Sequence, residues 1–366
     1  MQNNKILVLV PSPNSAGGVA HYHQKLRPHF GSHVKYFNRG VRNQQSWISR
    51  AMFPITQTTD IVCFFALMLF GNYSLIHFNT SFGKTGIIRD AFFIRIVQLF
   101  KRRYIVFFRG IDFTVIDWIE AKRWNLFKST FLKANQIWVL SNLMKKKVQD
   151  WKYRDDVIIE TTMVDSTLLK DFDFESIVQK FQKSKPFEII FLSRVERGKG
   201  IYEAIDAFRI LNKKFRNTVF RIYGDGSEKR KVLEYVGKDL NNTIFIEGFV
   251  YGAGKVQAFS SAHLYLFPSY AEGLPNSLLE AIAFGLPVVT SNVGGIPDFF
   301  KQPQMGCITS DITPKVLSNL MEQIITDTNK CAEISSYNYS YAKNNFYAER
   351  VAERVKSHYK NIINAK

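Results

Sequence analysis

Short apolar segments alternate with longer amphipathic segments along most of the chain. Each apolar segment has the length and the β-branched and aromatic content of a buried strand, and the stretch that follows is long enough for a helix. The predicted strands are Ile6–Val10, Ser74–Phe78, Tyr104–Phe108, Gln136–Leu140, Phe187–Leu192, Thr218–Tyr223, Thr243–Ile246, His263–Phe267 and Pro287–Thr290. This order predicts parallel sheets whose strands are joined by right-handed helical crossovers.

The alternation pauses between Asp165 and Pro186, where the chain is polar and charged. A chain of 366 residues is also long for a single core. We therefore predict an α/β protein with two doubly wound, Rossmann-like domains that face a cleft. The predicted segments are an N-terminal domain over 1–168, a linker over 169–185, a C-terminal domain over 186–344, and a last helix over 345–366 that packs back on the first domain.

Two apolar segments could be mistaken for targeting signals. The N-terminal sequence MQNNKILVLVPSP has a short apolar run and lacks a small-residue cleavage site, which favours a first strand over a signal peptide. The segment Ile61–Gly71 falls short of the roughly 20 residues that span a bilayer, so we expect a buried helix there. The three cysteines are widely spaced and odd in number, which favours a reducing, cytoplasmic location.

The net charge of +18 is concentrated in the first half of the chain. Residues 1–185 carry 27 Lys and Arg against 13 Asp and Glu, a net charge of +14, whereas the remaining residues carry 22 against 18, a net charge of +4. Such asymmetry indicates a nucleic acid, an anionic membrane surface or an acidic substrate as a partner. A basic surface that only confers solubility is the alternative.

A pair of cations follows the predicted strand Phe187–Leu192. Arg194 and Lys199 lie in a turn that leads into a helix, and glycines flank the lysine at 198 and 200. Free N–H groups at the start of a helix favour an anion, and the glycines permit close approach of the backbone. The pattern predicts a clamp for a diphosphate in which two cations take the place of a metal ion. Two solvated cations in a loop are the alternative.

Two carboxylates lie on either side of a predicted helix start in the segment YAEGLPNSLLEAIAFG. Glu272 precedes Pro275, which suits the first turn of a helix, and Glu280 lies within the helix. Ser277 and Glu280 have the spacing of a capping box, in which the glutamate only caps the helix. That interpretation leaves Glu272 unexplained, so a carboxylate that accepts hydrogen bonds from a polyhydroxyl ligand is the second hypothesis.

Three weaker signals complete the set. Gly17 and Gly18 follow the first strand and Gly224 follows a later one, and an ordinary turn explains them as well as a close approach to a ligand. They do not form a dinucleotide-binding fingerprint. Asp171 and Asp173 form a D-x-D pattern in the predicted linker, where a solvated acidic stretch is the better interpretation.

Taken together, these segments resemble glycosyltransferase family 4, a family of retaining enzymes with the GT-B fold. The resemblance is densest between Phe187 and Asp298, and it is looser in the first half, around Gly17-Gly18, His77 and Ser141. The segments that carry it are FLSRVERGKG, IYGDG, FIEGFV and LFPSYAEGLPNSLLEAIAFGLPVVTSNVGGIPD.

The resemblance implies roles for individual residues. Arg194 and Lys199 match the cations that bind the donor diphosphate, Glu272 matches a glutamate that contacts the donor sugar, and Glu280 matches one that contacts the ribose. Val250 matches a position near the nucleobase. The remaining positions that we expect to bind the donor are Gly17, Gly18, Gly224, Leu274, Pro275, Asn276 and Ser277.

One position departs from the family pattern. Many members carry a histidine after the strand that corresponds to Tyr104–Phe108, and this chain has Arg109 there. A guanidinium stays cationic and cannot act as a base at neutral pH. We therefore expect Arg109 to contact the donor through phosphate.

The resemblance implies transfer of a sugar from a nucleotide diphosphate donor, of the UDP or GDP type, to an acceptor hydroxyl with retention. We expect no metal and no cofactor, and no nucleic-acid partner. The acceptor is expected to be a glycan or a lipid-linked glycan in the assembly of cell-surface polysaccharide or glycolipid. The basic N-terminal domain could hold the protein on the inner face of the membrane, although its cationic runs are equally compatible with solvated faces.

Two other functions stay open at this point. A sugar-nucleotide epimerase of the same fold would need carboxylates placed for acid–base chemistry in the first half, and none stands out there. A non-catalytic polyanion-binding protein would explain the charge. It would not explain the ordered arginine, lysine and two glutamates in the less basic half.

Overall fold

The computed structural model of the chain describes residues 5–13, 17–39, 53–181 and 186–365. The chain forms two compact units, the first from residues 1–162 and 348–366 and the second from residues 163–347. The sequence placed the corresponding limits at 168 and 345. The prediction of an α/β fold with two parallel, doubly wound sheets is confirmed.

The first unit is built on a six-stranded parallel sheet in the order β2-β1-β3-β4-β5-β6. Its strands are β1 (Lys5–Pro11), β2 (Val34–Arg39), β3 (Tyr73–Thr80), β4 (Tyr104–Phe108), β5 (Gln136–Val139) and β6 (Val157–Ile159). All five residues of β4 are buried, as a central parallel strand covered on both faces requires. The sequence did not predict β2 or β6.

Helices cover both faces of this sheet. They are α1 (Gly18–Leu26), α2 (Phe53–Phe70), α3 (Lys84–Leu99), α4 (Phe113–Trp118), α5 (Trp124–Thr130), α6 (Asn142–Asp150) and α14 (Ala348–Asn364). The last helix, α14, belongs to this unit. Arg103 donates to the carbonyl oxygens of Ile362 and Ile363 at 2.6 and 3.0 Å, and Arg354 pairs with the buried carboxylate of Glu160 at 2.8 Å.

The second unit repeats the architecture with the strand order β12-β11-β10-β7-β8-β9, also parallel throughout. Its strands are β7 (Phe187–Leu192), β8 (Thr218–Tyr223), β9 (Ile244–Gly248), β10 (Leu264–Phe267), β11 (Val288–Ser291) and β12 (Gly306–Thr309). Its helices are α7 (Phe174–Lys180), α8 (Ile201–Lys214), α9 (Lys229–Val236), α10 (Gly252–Ser261), α11 (Asn276–Ala283), α12 (Pro314–Ile325) and α13 (Thr328–Asn345).

The predicted linker contains ordered secondary structure of the second unit. Helix α7 occupies residues 174–180, and Asp173 accepts the N–H of Glu175 at 3.1 Å as the N-cap of that helix. The second carboxylate of the D-x-D pattern therefore has a structural role at a helix end.

The expectation of a buried helix at Ile61–Gly71 is wrong in one respect. Helix α2 spans this segment and buries Phe64 and Met68, but Val62, Leu69 and Phe70 on its other side are 61%, 54% and 84% exposed. Among the described residues, α2 packs on one face, and this face is too narrow to bury all of its apolar side chains. Within the described residues, no helix is long and apolar enough to cross a membrane.

Candidate functional site

The carboxyl edge of the second sheet brings the strongest sequence motifs together. Strand β7 lies between β10 and β8, so the segments that follow these strands are neighbours at one edge. There the Lys199 ammonium contacts a carboxylate oxygen of Glu272 at 2.6 Å, across 73 positions of sequence. Both side chains are largely buried, with 13% and 11% of their surface exposed.

The turn that carries Lys199 is fixed by close backbone packing. Residues 197–199 form one turn of 3-10 helix, and Gly200 follows with φ of +72° before α8 begins. A Cβ atom at Gly200 would lie 2.0 Å from the carbonyl oxygen of Pro268, so only glycine fits. The Tyr270 N–H also donates to the Gly198 carbonyl at 3.0 Å. The turn after β7 is therefore joined directly to the loop after β10.

Arg194 is placed differently from Lys199. Its guanidinium donates to Glu196 at 2.8 Å, two positions along the same turn, and 67% of its side chain is exposed. The two predicted cations thus share one turn, but only Lys199 contacts the predicted carboxylate.

The sequence did not single out Gly294, which supports Glu272. Gly294 has φ of +59°, and a Cβ atom there would lie 2.0 Å from the carbonyl oxygen of Glu272. The neighbouring Gly295 donates its N–H to the Gly273 carbonyl at 2.7 Å. The signal that could have found this contact is the Gly-Gly pair in the loop that follows the predicted strand Pro287–Thr290.

Helix α11 begins at Asn276, with Pro275 as its N-cap. The capping-box interpretation is wrong, because no side chain caps this helix and Ser277 instead bonds to the Tyr265 hydroxyl at 2.8 Å. The first N–H groups of a helix have no partner inside the helix. Among the described residues, the buried amide oxygen of Asn276 also lacks a hydrogen-bond partner. The start of α11 therefore presents N–H groups a few residues after Glu272, which contacts Lys199.

Glu280 lies one turn into α11 and is held by a residue that the sequence analysis did not identify. Lys255 of α10 contacts both carboxylate oxygens of Glu280 at 3.0 Å. Burial raises the pKa of Glu280, and the nearby ammonium of Lys255 opposes that shift. No sequence spacing marks Lys255, since it comes from a separate helix.

The predicted nucleobase position lies after β9. Val250 stands between two exposed aromatic residues, Phe249 and Tyr251, which are 72% and 79% exposed and whose ring centroids are 6.4 Å apart. Gly224, which follows the neighbouring strand β8, donates its N–H to the Gly248 carbonyl at 2.7 Å. This contact ties the two segments together at the same edge.

In the first unit, Arg109 follows β4 at the carboxyl edge. Its guanidinium carbon lies 4.0 Å from the centre of the Tyr22 ring and 4.3 Å from that of Phe107, and burial lowers its pKa. Within the described part of the chain, one of its terminal nitrogens is buried without a hydrogen-bond partner. Gly17 is the N-cap of α1 and Gly18 its first residue.

Two residues that carried the looser resemblance have structural partners in the first unit. The His77 ring nitrogen Nδ1 lies 2.5 Å from the Tyr359 hydroxyl in the core, and Ser141 caps α6 by accepting the Met144 N–H at 3.2 Å. The cap accounts for Ser141 without a ligand, whereas the Nε2 atom of His77 is buried without a hydrogen-bond partner among the described residues.

Solved structures share this two-unit fold. HepE of Anabaena, solved in complex with UDP, superposes with a TM-score of 0.74 at 18% identity over 98% of this chain and 100% of that chain. The sucrose-phosphate synthase of Thermosynechococcus elongatus gives a TM-score of 0.76 at 16% identity over 99% and 100%. The fold is therefore the two-domain α/β architecture of these proteins, the GT-B fold.

The chain also resembles known glycosyltransferases in sequence. Residues 173–341 match the family model described as "Glycosyl transferases group 1". The capsular polysaccharide biosynthesis glycosyltransferase CapM of Staphylococcus aureus is 23% identical over 72% of this chain, and the putative colanic acid biosynthesis glycosyltransferase WcaL of Escherichia coli is 24% identical over 68%. These matches cover 65% and 62% of the relatives, so the chain spans less than two thirds of their length.

Proposed function

We propose that this protein is a retaining glycosyltransferase that moves a hexose-type sugar from a nucleotide diphosphate donor to an acceptor hydroxyl. The observation that carries the proposal is the Lys199–Glu272 contact beside the start of α11. The match of residues 173–341 to the group 1 glycosyl transferases supports it. The names of the relatives from Staphylococcus and Escherichia, which refer to capsular polysaccharide and colanic acid biosynthesis, support a role in polysaccharide assembly.

The donor diphosphate would be bound by cations and by a helix start. Positive charge would come from two segments of the chain. One is the turn that carries Arg194 and Lys199, and the other supplies the N–H groups of Leu274, Asn276 and Ser277. Arg194 is exposed and bound only to Glu196 of its own turn, so it can turn toward a ligand at small cost. Such a clamp needs no metal ion to neutralise the leaving group. For the first unit taken by itself, we propose that Arg109 binds a phosphate, because one of its buried nitrogens lacks a partner among the described residues.

The two glutamates would serve different parts of the donor. Glu272 accepts from Lys199 through one oxygen, and its second oxygen can accept from a sugar hydroxyl. Glu280 would accept from the ribose hydroxyls while Lys255 balances its charge. The base, of UDP or GDP type, would lie at Val250, where Phe249 offers an exposed ring face.

The reaction we propose has one bond formed and one broken at the same carbon. The acceptor oxygen bonds to the anomeric carbon as the bond from that carbon to the donor phosphate oxygen breaks. The leaving phosphate oxygen takes the acceptor proton. Lys199 stabilises the charge on the leaving diphosphate and holds the Glu272 side chain in place through their 2.6 Å contact, so that Glu272 orients the sugar.

A panel of UDP-, GDP- and ADP-sugars tests the proposal. We expect one donor class to raise the melting temperature and to undergo slow hydrolysis in EDTA. Lys199→Ala should abolish both responses, whereas Lys214→Ala should keep them, because Lys214 forms a similar 2.8 Å pair with Glu322 on the exposed outer helices. Stabilisation by no nucleotide sugar would refute the proposed donor site, and a strict requirement for a metal would refute the cation clamp. Release of free nucleotide together with an epimerised sugar would favour the epimerase alternative.

A further inference from the structure

The first unit exposes a continuous apolar face on α2. From Ile61 to Phe70 this helix carries no charged side chain. Phe64 packs on Phe93 of α3 with a centroid distance of 5.0 Å, which fixes the inner side of the helix. Val62 and Leu69 fall on the opposite side and are 61% and 54% exposed. A monomeric surface seldom keeps such a run of large apolar side chains in water without a partner.

The apolar face continues from α2 onto the end of α3. The Phe65 ring contacts Phe100 directly after α3, with a centroid distance of 5.2 Å. Leu99 beside it is 69% exposed, and Phe70 at the end of α2 is 84% exposed. We name the set Val62, Phe65, Leu69, Phe70 and Leu99 the α2–α3 apolar surface.

Cationic side chains border this surface. Lys101 follows Leu99 by two positions and is exposed, and Arg102 reaches back to the Gly71 carbonyl, at the end of α2, at 3.5 Å. Arg95 is exposed on α3 between Phe92 and Leu99. The first 185 residues, which include the surface, carry a net charge of +14 from 27 Lys and Arg against 13 Asp and Glu. Exposed apolar residues with a cationic border match the boundary between lipid headgroups and acyl chains.

The end of the surface that Phe70 and Leu99 form lies at the amino edge of the first sheet. Phe70 immediately precedes β3, and Leu99 with the following basic segment precedes β4. Arg109 and Gly17 follow strands and therefore lie at the opposite, carboxyl edge. A partner on the α2–α3 apolar surface would leave that carboxyl edge uncovered.

We propose that the α2–α3 apolar surface docks on an anionic lipid bilayer. A second copy of the chain fits less well, because a two-fold interface would bring the same cationic border against itself. Helix α2 would lie in the plane of the interface, with its exposed apolar side chains inserted. The proposal does not rest on glycosyl transfer, since none of the residues of the α2–α3 apolar surface is assigned to the donor site.

Cosedimentation of the full chain with vesicles tests the proposal. The protein should bind vesicles that contain phosphatidylglycerol and should not bind vesicles of phosphatidylcholine alone. Binding to the anionic vesicles should weaken as the salt concentration rises. Leu69→Ser combined with Phe70→Ser should lower the partition coefficient at least about tenfold, because two exposed apolar side chains no longer insert. Lys101→Ala should lower it about fivefold, the effect of one cation near the surface.

Leu233→Ser is the matched control. Leu233 is an exposed leucine, 37% exposed, on a helix of the second unit that also carries Arg230 and Lys231. Its substitution should leave vesicle binding unchanged. Thermal melts of every variant, with and without nucleotide sugar, report separately on folding and on the proposed donor site. Absence of binding to anionic vesicles, or equal binding by the Leu69/Phe70 variant, would overturn the proposal. The proposal would also be overturned if the unmodified protein did not bind vesicles but formed a concentration-dependent dimer that the Leu69/Phe70 variant abolished.

Discussion

Replacing Lys199 by methionine leaves the carboxylate of Glu272 largely buried without its cation. The two groups lie 2.6 Å apart, and only 13% and 11% of their side-chain surfaces are exposed. Loss of one partner from a fully buried pair costs about 3–5 kcal/mol, mostly from the unpaired charge that remains. Because this pair keeps some exposure, we expect Lys199→Met to lower the free energy of unfolding by about 2–3 kcal/mol.

The double variant separates structure from function. Lys199→Met combined with Glu272→Gln removes both charges, so it should recover most of the lost stability, with a coupling free energy of about 2 kcal/mol between the two sites. It should recover none of the donor binding, because the proposed contacts of Lys199 with the diphosphate and of Glu272 with the sugar are both absent. For a unit of this size, the single variant should melt about 5–10 °C lower than the unmodified protein.

The exposed pair Lys214–Glu322 supplies the control cycle. Its side chains are 57% and 31% exposed, at a contact distance of 2.8 Å. Lys214→Met with Glu322→Gln should show a coupling of no more than about 0.5 kcal/mol. Calorimetry of the four variants of each pair, with isothermal titration of the donor, completes the measurement. An equal coupling in both pairs would refute the role of burial, and donor binding by the Lys199/Glu272 double variant would refute the assignment of the site.

Two further substitutions follow from the same site. Glu280→Gln should leave the free energy of unfolding unchanged or raise it, because burial raises the pKa of Glu280 and the ionised carboxylate opposes folding. The ammonium of Lys255, which loses its partner, can be hydrated instead. Above the ordinary carboxyl pKa, the folded state then keeps a proton on Glu280 that the unfolded state has lost. The unmodified protein should therefore lose stability as the pH rises, and Glu280→Gln should lose less. Urea unfolding at about pH 5 and about pH 8 measures both losses, and a larger loss of stability in the variant would contradict the expected sign. Gly294→Ala should lower the melting temperature and donor affinity together, because its Cβ would lie 2.0 Å from the Glu272 carbonyl; an alanine variant with unchanged donor affinity would show that Gly294 does not position Glu272.

The pattern of apolar residues alone was enough to predict most strands of the two sheets. Strands such as Tyr104–Phe108 are apolar throughout because both faces of a central parallel strand are buried, and that pattern is local in sequence. Strand β2 was missed because Val34–Arg39 is polar at several positions, and its pairing with β1 defines it. The three-residue β6 is too short to give a periodic signal.

The sequence alone also identified Lys199 and Glu272 as candidates, since glycines and a helix start mark both segments. That they touch was decided by the tertiary structure, because the strand order β10-β7-β8 sets the two loops side by side across 73 positions. The partner of Glu280 was likewise invisible, since Lys255 reaches it from another helix and no spacing encodes that contact. Burial decided the rest. Helix α2 has the composition of a buried helix, yet the described residues of its unit cover one side of it and leave Val62, Leu69 and Phe70 exposed.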